Sequence, residues 1–74
     1  MGRLSGFRYR EVVQKLRSFG FEFKRQGKGS HEIWYNRKSQ VAVVVPRHAT
    51  PLSEGTLRSI LDSAKIDVDA FLDA

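Results

Sequence analysis

The chain has 74 residues, with 13 Lys and Arg against 8 Asp and Glu, no Cys, and a net charge of +5. That length holds one domain and a small core, which excludes a cofactor-binding fold joined to a separate substrate domain. The missing thiols exclude a disulfide framework, a thiolate zinc site and a cysteine nucleophile.

The first predicted element is a helix from about Arg8 to Phe19. Tyr9, Val12, Val13, Leu16 and Phe19 recur on one helical face, and Gly20 follows as a natural left-handed stop. Phe21-Glu22-Phe23-Lys24-Arg25-Gln26 alternates apolar and polar, which predicts a half-buried strand with Phe21 and Phe23 facing in. Gly27-Lys28-Gly29-Ser30 reads as a turn. His31 to Asn36 is a second strand, Arg37 to Gln40 a polar turn, and Val41 to Val45 a third strand stopped by Pro46. Short connections make all three strands antiparallel. The register between the second and third strands is open by one residue, so the facing of Trp34 is open too.

A second helix is expected to start near Ser53. Ser53 suits the N-cap, Glu54 the positive end of the dipole, and Leu52 with Leu57 a hydrophobic staple. Leu57, Ile60, Leu61 and Ala64 form its buried face, and Asp67 caps a short last turn holding Val68, Phe71 and Leu72. The order α-β-β-β-α predicts an α+β fold over residues 1–74 as a single domain. It is a two-layer sandwich, with a three-stranded antiparallel sheet and helices on one face, the arrangement of double-stranded-RNA-binding domains.

The charge is unevenly spread. Residues 1–61 carry twelve bases and four acids, net +8, and residues 62–74 one base and four acids, net −3. A basic body suggests a polyanionic partner such as RNA. No apolar run approaches the ~18–20 residues of a membrane span, so no membrane partner is expected. Met1-Gly2-Arg3-Leu4 opens no signal peptide, and a cysteine-free domain fits a reducing cytoplasm, so a cytoplasmic location is expected.

The stretch most informative about chemistry is Lys24-Arg25-Gln26-Gly27-Lys28-Gly29-Ser30-His31. Glycines admit a phosphate close to the backbone, and cations neutralise it. A histidine, whose ordinary pKa is ~6.5, moves protons near neutral pH. Binding RNA needs only the cations; cutting it also uses the histidine. Against this, Lys and Gly are commonplace in hairpin turns, and a lone histidine at a strand start is usually structural. Pro46-Arg47-His48 closes the third strand, and hairpin geometry brings it to the same sheet edge as Gly29 to His31. Trp34 and Tyr35 suit base stacking, but the commoner fate is one in the core and one half-covering the sheet. Two histidines seventeen residues apart are a weak metal signal, so no metal and no cofactor are expected.

At this point the chain resembles the HicA toxin family, the small mRNA interferases of HicA–HicB toxin–antitoxin pairs. The resemblance runs from about Arg8 to Leu72. It rests on Glu11-Val12-Val13 with Leu16, Gly20-Phe21, Gly29-Ser30-His31, Val45-Pro46-Arg47-His48, and Gly55-Thr56-Leu57-Arg58 with Ile60-Leu61. It implies ribosome-independent cleavage of mRNA, silenced by a HicB-type antitoxin protein, with His31 as the catalytic histidine; with no metal expected, the leading reading is a metal-independent endoribonuclease. Lys28, Arg25 and Arg47 would then hold the phosphate, Lys24 and Arg37 would steer the strand, and His48 is a candidate for the second proton role. Gly29 and Ser30 complete the RNA-binding motif. Two features depart from the family pattern: an extra glycine around Gly27, and Glu32 after the histidine, an acid expected to weaken phosphate attraction beside the site. The alternative is a non-catalytic RNA-binding module of the same fold. A third reading is a protein-interaction domain whose basic face meets an acidic partner.

Overall fold

A computed structural model of the protein describes residues 2–74. The apolar stripe of the first helix becomes α1, Tyr9–Ser18, which buries Val12, Val13 and Leu16. Its start is stabilised by Glu11, whose Oε1 accepts the Arg8 backbone N–H at 2.9 Å. An acid there also meets the positive end of the helix dipole. Gly20, at φ +95°, turns the chain out of the helix.

Three strands follow in the order β1-β2-β3: β1 Phe21–Gln26, β2 His31–Asn36 and β3 Val41–Pro46, all antiparallel. The register left open by the sequence is Trp34 opposite Val43 and His31 opposite Pro46. With side chains alternating between faces, Glu32, Trp34 and Asn36 point to the helices and are buried, while His31, Ile33 and Tyr35 point to the open face. Asn36 secures this arrangement at the far end. Its Oδ1 accepts from the backbone of Lys38 at 2.9 Å and Ser39 at 3.1 Å, and its Nδ2 donates to the Phe19 carbonyl at 2.9 Å.

Strand β1 breaks the expected alternation. A bulge between Phe23 and Arg25 puts Lys24 out of the pairing, as an extra residue in one strand does. Phe23 was expected to face in beside Phe21. It does pair with Trp34 and meets that ring edge-on at 6.0 Å, but it is 48% exposed. Alternation sets the face of a strand residue, and whether a helix covers that stretch is set by packing.

Helix α2, Glu54–Ala64, starts as expected from Ser53, whose hydroxyl accepts the Thr56 N–H at 3.2 Å. It buries Leu57, Ile60, Leu61 and Ala64 over β3. Asp67 caps the short α3, Val68–Asp73, by accepting the backbone N–H groups of Asp69 at 3.1 Å and Ala70 at 3.3 Å. The N-terminal leg then closes the core, although the sequence offers no periodicity there. Leu4 is 0% exposed, and Phe7 meets the fully buried Phe71 edge-on at 5.4 Å. The Phe7 carbonyl accepts the Leu52 N–H at 2.8 Å.

Leu4 therefore behaves as a core residue. Leu4→Ala is expected to lower unfolding free energy by roughly 2–5 kcal/mol through lost burial and a residual cavity, read by urea denaturation. A loss within the range of exposed substitutions would show that the leg does not seal the core.

Candidate active site

His31 opens β2 on the uncovered face of the sheet, and its side chain is exposed. Gly29, at φ +61°, makes the reversal just before it. The turn is tied by Gly27 N–H to the His31 carbonyl at 2.8 Å and by His31 N–H to the Lys28 carbonyl at 3.1 Å. Gln26 Nε2 reaches back to the Gly29 and His31 carbonyls, each at 3.0 Å. The histidine thus stands on a backbone held from both sides.

The exit of β3 is laced to the same turn. Pro46 has no N–H, and the ladder resumes one residue later, with Arg47 N–H donating to the Ser30 carbonyl at 2.9 Å. The Ser30 hydroxyl lies 2.8 Å from His48 Nε2 in a hydrogen bond. His31 and His48 line one cleft of about 350 Å³, with Pro46, Thr50 and the α2 cap residues Ser53 and Thr56. The structure therefore brings together Gly29, Ser30, His31 and His48, as hairpin geometry predicted.

The cations divide. Lys28 is exposed in the turn next to the motif. Arg25 is paired with Ile33, which shares the open face with His31. Lys24 lies farther along the sheet, with its ammonium 4.5 Å over the Tyr35 ring. Arg47 points to the helix side, where its guanidinium is 3.4 Å from Glu32 Oε2 and 5.2 Å from the centre of the Tyr9 ring. Arg47 and His31 therefore flank the strand from opposite faces.

Glu32 needs a correction. Although adjacent to His31 in sequence, it is only 2% exposed and faces the helices. Its Oε1 accepts from the Tyr9 hydroxyl at 2.5 Å and from Trp34 Nε1 at 3.1 Å. With Arg47 beside it, this charge is compensated where it stands and does not oppose a phosphate on the open face. Burial, and then the Glu32 carboxylate as hydrogen-bond partner and charge, push the Tyr9 hydroxyl up from 10.0 to about 12. Sequence reasoning missed this cluster. The available signal was parity, since Glu32 shares the face of Trp34 two residues on.

Residues 9–66 match the family model described as HicA toxin of bacterial toxin-antitoxin. The chain belongs to the HicA toxin family. The matched segment contains both histidines of the cleft and leaves out the N-terminal leg and α3. As a HicA toxin, the protein is one half of a toxin–antitoxin pairing and has an antitoxin as partner. No curated protein matches the chain. Among the described residues, no three His, Asp or Glu side chains gather to hold a metal, and no helix is long and apolar enough to cross a membrane.

Two measurements check the buried cluster. Tyr9→Phe deprives an inaccessible carboxylate of a donor and is expected to cost roughly 1–3 kcal/mol of stability. In a Tyr35→Phe background, Tyr9 is the sole tyrosine, and tyrosinate absorbance is expected to appear only around pH 12. Because the folded chain holds this proton above the unfolded value of 10.0, the associated stability is present below pH 10 and falls as pH rises from there to about 12. Titration of Tyr9 at its ordinary value would show the hydroxyl to be free.

Proposed function

We infer that this HicA toxin is a metal-independent endoribonuclease that cuts mRNA without the ribosome. The observation that carries the reading is the shared cleft of His31 and His48 behind the Gly29-Ser30-His31 turn.

The chemistry uses a nucleophile that RNA brings with it. The ribose 2′-oxygen attacks the adjacent phosphorus, the bond from phosphorus to the 5′-oxygen breaks, and a 2′,3′-cyclic phosphate and a 5′-hydroxyl result. One imidazole takes the 2′-hydroxyl proton and the other gives a proton to the departing oxygen. His31 is the catalytic histidine and His48 the second proton carrier, its ring steadied by the Ser30 hydroxyl. Lys28 and Arg25 sit where they can neutralise the phosphate as its charge builds up. Lys24 and Arg37 act farther out along the strand path, and Arg47 contributes mainly through its position over Glu32. DNA lacks the 2′-hydroxyl and would bind without being cut. A HicB-type antitoxin silences the toxin in the cytoplasm by denying RNA this cleft.

The test compares wild type and His31→Ala on a long RNA in EDTA. Wild type is expected to cut, and the variant to lose about 10²–10⁴-fold in rate while keeping its circular dichroism spectrum. Retained cleavage by the folded variant would overturn the role of His31. Loss of wild-type cleavage on chelation would overturn the metal-independent mechanism. RNA binding without scission by wild type would favour a non-catalytic RNA-binding module.

A further inference from the structure

A second hollow, larger than the histidine cleft, lies on the other side of the strand from His31. It has a volume of about 610 Å³ and opens between the start of α1 and the chain leaving β3. Four arginines line it: Arg8, Arg10, Arg17 and Arg47. Its one acid, Glu11, already accepts the Arg8 N–H at the helix start. The acid beneath Arg47 is Glu32, which is buried. With Arg47 offset by Glu32 and Glu11 set against the remaining three arginines, the groove wall keeps a net positive charge.

The arginines are also shaped. Arg17 lies 5.1 Å over the Trp34 ring and Arg47 5.2 Å over the Tyr9 ring, so each guanidinium is backed by an aromatic side chain. Arg8 is anchored by one donor to the Ala49 carbonyl at 2.6 Å. A guanidinium has five N–H donors in a rigid fork, so one anchored or stacked in this way keeps donors for a ligand. Arg10 is exposed, and neither ion pair among the described residues involves it. Arg10, Val13 and Arg17 fall on one face of α1 and run along the groove. Spaced forks along a channel match the repeating charge of a phosphodiester chain.

One residue joins this groove to the cleft described above. His48 lines both hollows. We propose that the arginine groove is the track for the RNA strand beyond the cut, so that the chain passes His48 from the catalytic cleft and lies along Arg10 and Arg17. This rests on RNA being the ligand of the His31 cleft. It adds a second binding surface, on the helix side of the sheet, that brings in Arg8, Arg10 and Arg17, none of them a motif residue.

The experiment measures binding and not cleavage. Fluorescence anisotropy follows a labelled single-stranded RNA on the full chain carrying His31→Ala, across a series of salt concentrations. Each phosphate contact on a single strand contributes about −0.7 to the log–log slope. Adding Arg10→Ala is expected to make the slope shallower by about 0.7, and Arg10→Ala with Arg17→Ala by about 1.4. Arg17 covers Trp34, so the single Arg10→Ala variant keeps the test valid if the double variant unfolds. Arg58→Ala removes the same charge from the exposed side of α2, outside both hollows, and is expected to leave the slope unchanged. An unchanged slope in Arg10→Ala, or an equal change in Arg58→Ala, would overturn the track. So would undiminished RNA binding coupled to weaker antitoxin binding, which would make the groove a seat for an acidic segment of the antitoxin. The readout does not depend on catalysis, so failure of the nuclease reading in the cleavage assay and failure of the track are separately visible.

Discussion

The Glu32 carboxylate sits among the helices, accepting from Tyr9 at 2.5 Å and Trp34 at 3.1 Å with Arg47 3.4 Å away. An ionised carboxylate taken out of water costs several kcal/mol unless donors and an opposite charge compensate it. Here the donors come from three elements. Tyr9 starts α1, Trp34 lies in β2, and Arg47 is the first residue after β3. Satisfying the charge therefore fixes where α1 begins relative to the sheet and where the chain leaves β3. The arginine groove lies between those two boundaries, and the histidine cleft borders the second of them.

The same interaction decides the parity of β2. With Glu32 and Trp34 committed to the helix side, His31 and Ile33 have the open face. A slip of one residue would expose the indole and the carboxylate's partners while turning His31 inward. Register is thus enforced by two very different penalties, lost apolar burial at Trp34 and an uncompensated charge at Glu32, and both act against the same error. An exposed histidine contributes little to its own placement. It is held in place by the residues on either side of it in sequence, which face away from it or lie in the turn.

Much of the fold was legible because its signals are local. The α1 stripe, the Ser53 and Asp67 caps and the three strands follow from spacing, side-chain acceptors and β-forming residues, each readable within a few positions. The sharing of one cleft by His31 and His48 was legible for a related reason, since a short hairpin constrains which ends coincide. What was illegible depends on tertiary cover. Leu4 stands among Arg, Ser and Gly with no period to mark it, yet it is fully buried. Phe23 has the right parity, opposite Trp34, yet stays half exposed. The bulge at Lys24 changes which cations share a face without leaving a mark in the alternation. Glu32 was misread because adjacency in sequence was taken for adjacency in space, and on a strand neighbours diverge to opposite faces.

The division of the sheet into two working faces also accounts for how so short a chain carries a site. A core of this size stabilises a domain only marginally, so an internal active-site cleft would consume the volume the core needs. Placing His31 on the uncovered face leaves the helix side free for packing. Placing the arginines at the rim of that packed side lets Tyr9 and Trp34 serve as core and as platforms at once. The acidic segment follows the same economy. Three of its four acids, Asp67, Asp69 and Asp73, belong to α3 or its cap, and Asp69 pairs with Arg3 at 2.6 Å. Residues 62–74 line neither the cleft nor the groove. The negative charge is thus anchored to the N-terminal leg that seals the core, while the cation-bearing turn and the arginine rim are left facing solvent.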